Sequence, residues 1–429
     1  MMAVRSVRSL RSFVPFVVAL AACTTSVPPP TQSAPVASAT IAATDSPART
    51  VAPGAASTSP APAPAGGIEA RPLGALAGEW AFVTVVARGP EGAPFVLGDV
   101  SELWAIPLAG GEPRLAIRWS DARPTGISQS NVVARQLSPD GTRIVLSVAT
   151  PRTAGGSRFS LIVVELETGR ATMLGRDDAD SDLDPAWSPD GTRIAYRRRP
   201  DAPVGFQFDD GAWVMSADGR DVQRLVPGSQ GSTTIVYGWT PDSRAVAFSY
   251  AFEEATYTVV DVTTGGRTRI GAYVHDRRGH SWRTATPAFA GSFTPSPKQT
   301  PPYLMVVDAP GGQERVLVRE TDRDVLLNSV RWHPTRNELL YARGTFQARE
   351  LYTLELGGSP VRLPTTGRPL EAEWWPTGND VLYLHGGDAQ LTLVSTELRT
   401  VRRDGANERA IYMPRGRAVI IDLAVRRYP

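Results

Sequence analysis

Along most of the chain, hydrophobic residues come in runs of about five, separated by clusters of Gly, Pro, Asp, Asn and Ser. The runs are β-branched and aromatic, such as Ile144 to Val148, Ile194 to Tyr196, Ala245 to Phe248, Leu339 to Tyr341 and Val381 to Leu384. Such runs bounded by turn residues predict short strands. No segment shows convincing helical periodicity. Before many runs stands an aromatic or apolar residue and then a turn, most clearly Trp187 followed by Ser188-Pro189-Asp190-Gly191. Pro presets φ at the first central position, Asp suits the second and Gly takes positive φ. The chain therefore folds back as a hairpin.

The phrase recurs. Aligned on the residue two places before the turn proline, it falls at Leu137, Trp187, Trp239, Phe289, Trp332, Trp374 and Tyr412, at spacings of 50, 52, 50, 43, 42 and 38 residues. Each period then carries a third strand (Leu161 to Leu166, Ala212 to Ser216, Tyr257 to Val262, Tyr303 to Asp308, Leu351 to Leu356, Leu391 to Ser395). A fourth follows, from Ala171 to Leu174 in the first period to Val401 to Arg403 in the last. Tandem sheets with a period of roughly 40–50 residues predict an all-β β-propeller. Seven phrases imply seven blades, with six or eight left open by the degenerate Phe289 repeat. At the ends, Trp80 to Val86, Leu103 to Leu108 and Arg114 to Ile117 lack a first strand. Ala410 to Met413 with Ala418 to Leu423 read as the missing first hairpin, so the two ends would share one blade and close the ring.

These phrases resemble the WD40-like repeats of the TolB family, also found in the propellers of prolyl oligopeptidases. Leu137-Ser138-Pro139-Asp140-Gly141 and Trp187-Ser188-Pro189-Asp190-Gly191 match best, and the resemblance covers about Gly74 to Pro429. It implies the fold; activity belongs to sites grafted onto it. The small α/β domain of TolB has no counterpart here, its place being taken by a tether, and neither has the hydrolase domain of the peptidases.

The N-terminal region carries an address. Arg5, Arg8 and Arg11 precede a short apolar run, Phe13 to Leu20, and Leu20-Ala21-Ala22-Cys23 resembles a bacterial lipobox. Residues 1–22 are expected to be a lipoprotein signal peptide and Cys23, the only cysteine, its lipidation site. Residues 23–70 are rich in Pro, Ala, Ser and Thr and are expected to be a disordered linker, leaving 71–429 for the propeller. Such a tether would span roughly 35–40 Å root-mean-square. The expected product is exported, held through its lipid on the cell membrane or outer membrane, and monomeric. Thr24 after Cys23 permits outer-membrane sorting in a two-membrane cell.

Net charge is +2, which gives no electrostatic case for nucleic acid. Gly279-His280-Ser281-Trp282-Arg283 is the nearest string to a serine-nucleophile elbow, but its last residue is Arg and no helix follows. The histidines, His275, His280, His333 and His385, have no metal-ligand spacing. His333 stands where other repeats have the turn Ser and reads as a local hydrogen-bonding residue. Asp178, Asp180 and Asp182 are a calcium candidate against the alternative of a solvated acidic loop; no other cofactor is implied.

In a four-stranded meander, the loops between second and third strands and those joining blades share one face, and the Ser-Pro-Asp-Gly turns lie on the other. The longest loops of the first kind, Arg197 to Asp210 and Gly271 to Thr286, gather Arg197, Arg198, Arg199, Phe206, Phe208, Arg277, Arg278, His280, Trp282 and Arg283. Arginine with aromatics is the composition of contact surfaces. The expectation is a non-enzymatic binding or scaffold module for an envelope protein, peptide or glycan. The alternative is an extracytoplasmic hydrolase acting on peptide or carbohydrate with carboxylates in the central funnel.

Overall fold

The computed structural model describes residues 68–88, 97–120, 133–151, 157–174, 180–200, 210–228, 233–251, 256–272, 280–283, 288–293, 301–308, 311–345, 347–386, 395–416 and 418–429. Within them the chain forms seven antiparallel sheets.

The first blade holds β1 (Ile68–Ala70), β2 (Gly78–Arg88), β3 (Leu97–Pro107) and β4 (Arg114–Ser120). The second has a short helix, α1 (Val133–Gln136), then β5 (Arg143–Pro151), β6 (Ser157–Glu165) and β7 (Ala171–Leu174). The third runs β8 (Ser181–Trp187), β9 (Arg193–Arg199), β10 (Gly211–Ser216), β11 (Gln223–Val226). The fourth runs β12 (Thr233–Trp239), β13 (Ala245–Ala251), β14 (Thr256–Asp261), β15 (Arg267–Ala272). The fifth runs β16 (His280–Trp282), β17 (Phe289–Phe293), β18 (Tyr303–Val307), β19 (Glu314–Arg319). The sixth runs β20 (Leu326–Trp332), β21 (Glu338–Gly344), β22 (Arg349–Glu355), β23 (Val361–Leu363). The seventh runs β24 (Arg368–Trp374), β25 (Asp380–Gly386), β26 (Glu397–Arg402), β27 (Arg409–Tyr412). The final strand, β28 (Val419–Tyr428), returns to the first blade and pairs with β2, from Gly78↔Tyr428 to Val86↔Val419.

The strands are apolar on both faces because each sheet is covered on both. In β5, Ile144 and Leu146 pack toward the first blade while Val145 packs toward the third. The same alternation repeats round the ring, and each of the seven seams has its own buried cluster. That between the seventh and first blades joins Leu382, Leu384 and Leu398 to Val83, Ile420 and Leu423. A strand buried on both faces loses the polar alternation of a half-solvated one.

The turns work as their chemistry predicts. Ser188 Oγ donates to Asp190 Oδ1 (2.6 Å) and accepts from Arg193 N (2.9 Å), while Thr192 N donates to the same carboxylate oxygen (3.0 Å). Ser138–Asp140 and Thr240–Asp242 repeat the pattern. Gly141 and Gly191 both sit at φ +71°, and Ser243 takes the equivalent position at φ +59°. In the sixth blade His333 takes the serine's part, its Nδ1 accepting from Thr335 N (3.1 Å) and Arg336 N (3.0 Å). The tryptophans pack between blades. Trp239 Nε1 donates to the Ala186 carbonyl of the preceding blade, Trp374 Nε1 to that of Arg331, and Arg143 and Arg193 lie over the Trp187 and Trp239 rings.

Three expectations need correction. Phe289 opens a second strand; the residue equivalent to Trp187 in that blade is Trp282, since Arg283 N donates to Ala288 O as Ser188 N does to Arg193 O. Tyr412 ends the outer strand of the seventh blade and is no part of a closing hairpin; β28 alone supplies the missing inner strand. Val401 and Arg402 accordingly belong to that blade's third strand, and residues 391–394 lie outside the described residues. Finally, the propeller begins before residue 71. Ile68–Ala70 pairs with β4 as a fifth strand, because Ile68 and Ala70 find apolar cover at the first seam. From there Leu73 N and Gly74 N bond to the carbonyls of Leu166 and Glu167 in the second blade.

Candidate functional site

The arginine run expected to form a contact surface lies at the loop-face end of β9. There it is committed to neighbouring strands. Asp184 sits at φ +54° in a bulge of β8, which turns its carboxylate inward. Arg197 bridges it to Asp210, Nε to Asp184 Oδ2 and NH1 to Asp210 Oδ2 both at 2.8 Å, with side chains 2%, 0% and 0% exposed. Arg199 makes a second contact with Asp210 (3.1 Å). Arg198, on the other face of the strand, holds both oxygens of Asp182 at 2.7 and 3.0 Å and stacks on Trp213. Arg197 is therefore a buried ion-pair centre and no contact residue.

Asp182 gives both oxygens to Arg198, so a cation there would have to displace a guanidinium. Asp180 is half-buried, Asp178 lies outside the described residues, and among the described residues no group of three His, Cys, Asp or Glu is placed to hold a metal. Phe206, Phe208, Arg277 and Arg278 also lie outside the described residues. His280 begins β16, its backbone opposite Gly291. Trp282 and Arg283 belong to the opposite face from the one expected. β16 ends there at the turn side, Trp282 packs edge-on against Phe289, and Arg283 lies over Trp332. The range Gly271 to Thr286 thus holds the end of β15 and the whole of β16, and residues 273–279 and 284–286 lie outside the described residues.

Two cavities among the described residues bear on function. On the turn face a funnel of about 680 Å³ is lined by all seven blades, with Trp187, Trp239, Trp332 and Trp374 round it. Several of its charges are internally engaged. Arg331 bonds Glu373 (2.7 Å) and Glu371 (3.5 Å). Burial opposes the charge of Arg331, but the two glutamates outweigh it and its pKa ends above the usual arginine value. Arg426 donates to the carbonyls of Val425 (2.8 Å) and Ala134 (2.9 Å), and burial pushes its pKa down.

The second cavity, about 580 Å³, opens on the loop face between the sixth and seventh blades. Arg343, Arg349, Arg362 and Arg368 line it, with Glu350 and Tyr352. Arg343 is held by Glu320 through two bonds (2.6 and 2.9 Å), Arg362 by Glu350 (2.8 Å), and the Tyr352 hydroxyl donates to Glu350 (2.8 Å). These arginines stand on strands β21 to β24, beside the short connections Thr345 to Ala348 and Pro364 to Gly367, and so belong to no long loop. The signal was their position: both connections are of the loop-face kind.

No family model matches the chain, and no curated protein matches it. Solved structures do. TolB from Acinetobacter baumannii is 14% identical with a TM-score of 0.44, over 81% of this chain and 66% of that one. An oligogalacturonate lyase in complex with manganese is 14% identical (TM-score 0.47, 66% of this chain, 77% of that one). One of two prolyl endopeptidases is 14% identical, with a TM-score of 0.50, over 78% of this chain and 50% of that one. At such identity the likeness to the endopeptidase speaks to the fold alone. The chain spans about two thirds of the length of the Acinetobacter TolB and half that of the endopeptidase.

Proposed function

We propose that this chain is an exported, Cys23-lipidated propeller that binds an envelope protein, peptide or glycan on its loop face without transforming it. The observation that carries this reading is the open, arginine-lined cavity between the sixth and seventh blades. A concave site with charged groups and an aromatic wall is what ligand binding requires.

The hydrolase alternative draws on carboxylates near the axis. The inner-strand carboxylates Asp184, Glu371 and Glu373 each lie within 3.5 Å of an arginine nitrogen. A carboxylate held in this way would have to exchange its guanidinium for a substrate before it could act on one.

The test is crosslinked capture from cells with the full chain and with Arg362→Glu, a rim variant. Loss of the captured partner in the variant is expected; the same partners in the same amounts would exclude the loop face as the contact. Lipid labelling that persists in Cys23→Ser would refute the anchor.

A further inference from the structure

We infer that the turn-face funnel is a second binding site, taking a small molecule with an apolar body and a single carboxylate that meets Arg426. It lies on the face opposite the cavity between the sixth and seventh blades and does not rest on the reading of that cavity.

The walls follow from the repeat. Because the turn proline recurs, four blades each contribute one to the funnel: Pro139, Pro189 and Pro334, all exposed, and the half-buried Pro376. Proline has no N–H, so these residues offer apolar surface and no backbone donor. The half-buried Trp282 adds an aromatic face. A recess of about 680 Å³, largely apolar and with few polar groups, has the make-up of a small-molecule site.

The charge that sets the ligand is Arg426. Its NH1 donates to the Val425 carbonyl (2.8 Å) and its NH2 to the Ala134 carbonyl of α1 (2.9 Å). Both acceptors are neutral, so they hold the guanidinium in place without balancing it. Among the described residues no carboxylate pairs with Arg426. Burial works against its charge more than Glu373 and the Tyr428 hydroxyl support it, and Glu373 is already held by Arg331 at 2.7 Å. A charge drawn out of water without a counter-ion is costly, and a carboxylate from outside would offset part of that cost. The guanidinium fork matches its two oxygens.

The other charges of the funnel narrow the choice. Arg135 is committed to the Val236 carbonyl of the fourth blade. Arg427, the next residue of β28, also lines the funnel; it is exposed, and among the described residues no carboxylate pairs with it. It adds a second, weaker attraction. Glu373 lines the same recess, so a dianion would bring its extra charge toward a carboxylate, whereas a monoanion need not.

The experiment is calorimetric titration of the purified folded chain with naphthoate, naphthamide and acetate, at neutral pH and fixed ionic strength. Naphthoate should bind saturably. The amide keeps the apolar body and loses the charge, and should bind about tenfold more weakly, the worth of one charge-assisted contact. Acetate, which lacks the body, should not saturate. Arg426→Met should remove the advantage of naphthoate over the amide. Arg427→Glu, an exposed substitution that does not depend on the fate of the buried group, should weaken naphthoate about tenfold. Arg220→Glu reverses a charge that is 83% exposed and does not line the funnel, and should leave naphthoate binding as it was. No saturable binding of naphthoate overturns the site. Equal binding of acid and amide overturns the carboxylate. Weakening by Arg220→Glu to match that by Arg427→Glu, or no weakening by Arg427→Glu, overturns the assignment to the funnel.

Discussion

Arg197→Met tests whether the arginine run at the end of β9 is part of the interior. Arg197 is 2% exposed and both carboxylates it bridges are fully buried, at 2.8 Å each. Methionine keeps the length and apolar stem of arginine but removes the charge, leaving Asp184 and Asp210 without the group that bridges them. Breaking a buried pair on one side costs about 3–5 kcal/mol, because the cost of burying the remaining charge is no longer offset. Unfolding entropy is about 2.1 cal/mol/K per residue, so a body of roughly 360 residues changes by about 0.75 kcal/mol for each degree of melting temperature. The expected fall is therefore about 4–7 °C, read by calorimetry at neutral pH. Arg362→Gln breaks an exposed pair worth about 0–1 kcal/mol and should lower the melt by about 1 °C or less. An Arg197→Met melt as small as that of Arg362→Gln would refute the buried-bridge account. It would also return Arg197 to the surface.

Three further outcomes are expected. Burial holds the His333 ring below the usual histidine pKa of 6.5, with the Gly378 carbonyl and Glu338 acting against it. The unfolded chain protonates first, so the stability this group contributes is full above pH 6.5 and is lost as pH falls below it. His333→Ser should flatten the pH dependence of the urea midpoint between about pH 7 and 5, and parallel curves for the two proteins would contradict it. Gly141→Ala and Gly191→Ala share φ +71°, but the new Cβ meets the Tyr428 ring at 2.8–2.9 Å at the first site and only Pro139, at 3.7 Å, at the second. Each should lose about 1–2 kcal/mol from backbone strain, and Gly141→Ala more; equal losses would deny the close approach of Tyr428. Leu423→Ala, at the closing seam, should cost about 2–5 kcal/mol in urea unfolding, against about 0.5 or less for the exposed Met413→Ala; equal effects would count against closure by β28.

Much of this fold was legible because its turns carry their own chemistry. Ser188, Asp190 and Gly191 each have a role that few other residues fill, so the phrase marks a hairpin wherever it occurs. Where that chemistry degrades, the reading slipped. Around Trp282 the turn has no Asp or Gly, and Phe289, a buried aromatic seven places on, took the alignment. Tyr412-Met413-Pro414-Arg415-Gly416 erred the other way. It has the proline and a positive-φ glycine, but joins the outer strand of one blade to the inner strand of another. The site was harder to read than the fold. Whether an arginine is solvated or buried depends on partners far along the chain, and Arg197 meets Asp184 and Asp210 only once β8 and β10 flank β9. The arginines of the 580 Å³ cavity come from four strands, β21 to β24, and no local pattern announces their convergence.

The strand that closes the ring follows every other described strand in the chain. Gly78 pairs with Tyr428, so β2 and its outer neighbours are synthesised long before the strand that will lie against them. Until then β2 presents unsatisfied amides and carbonyls along one edge, and Val83 and Val85 lack their cover at one seam. Such an edge is a template for pairing with a foreign strand, and long-range closure is slow. Productive folding of this protein therefore depends on sheltering its earliest sheet until the closing strand arrives.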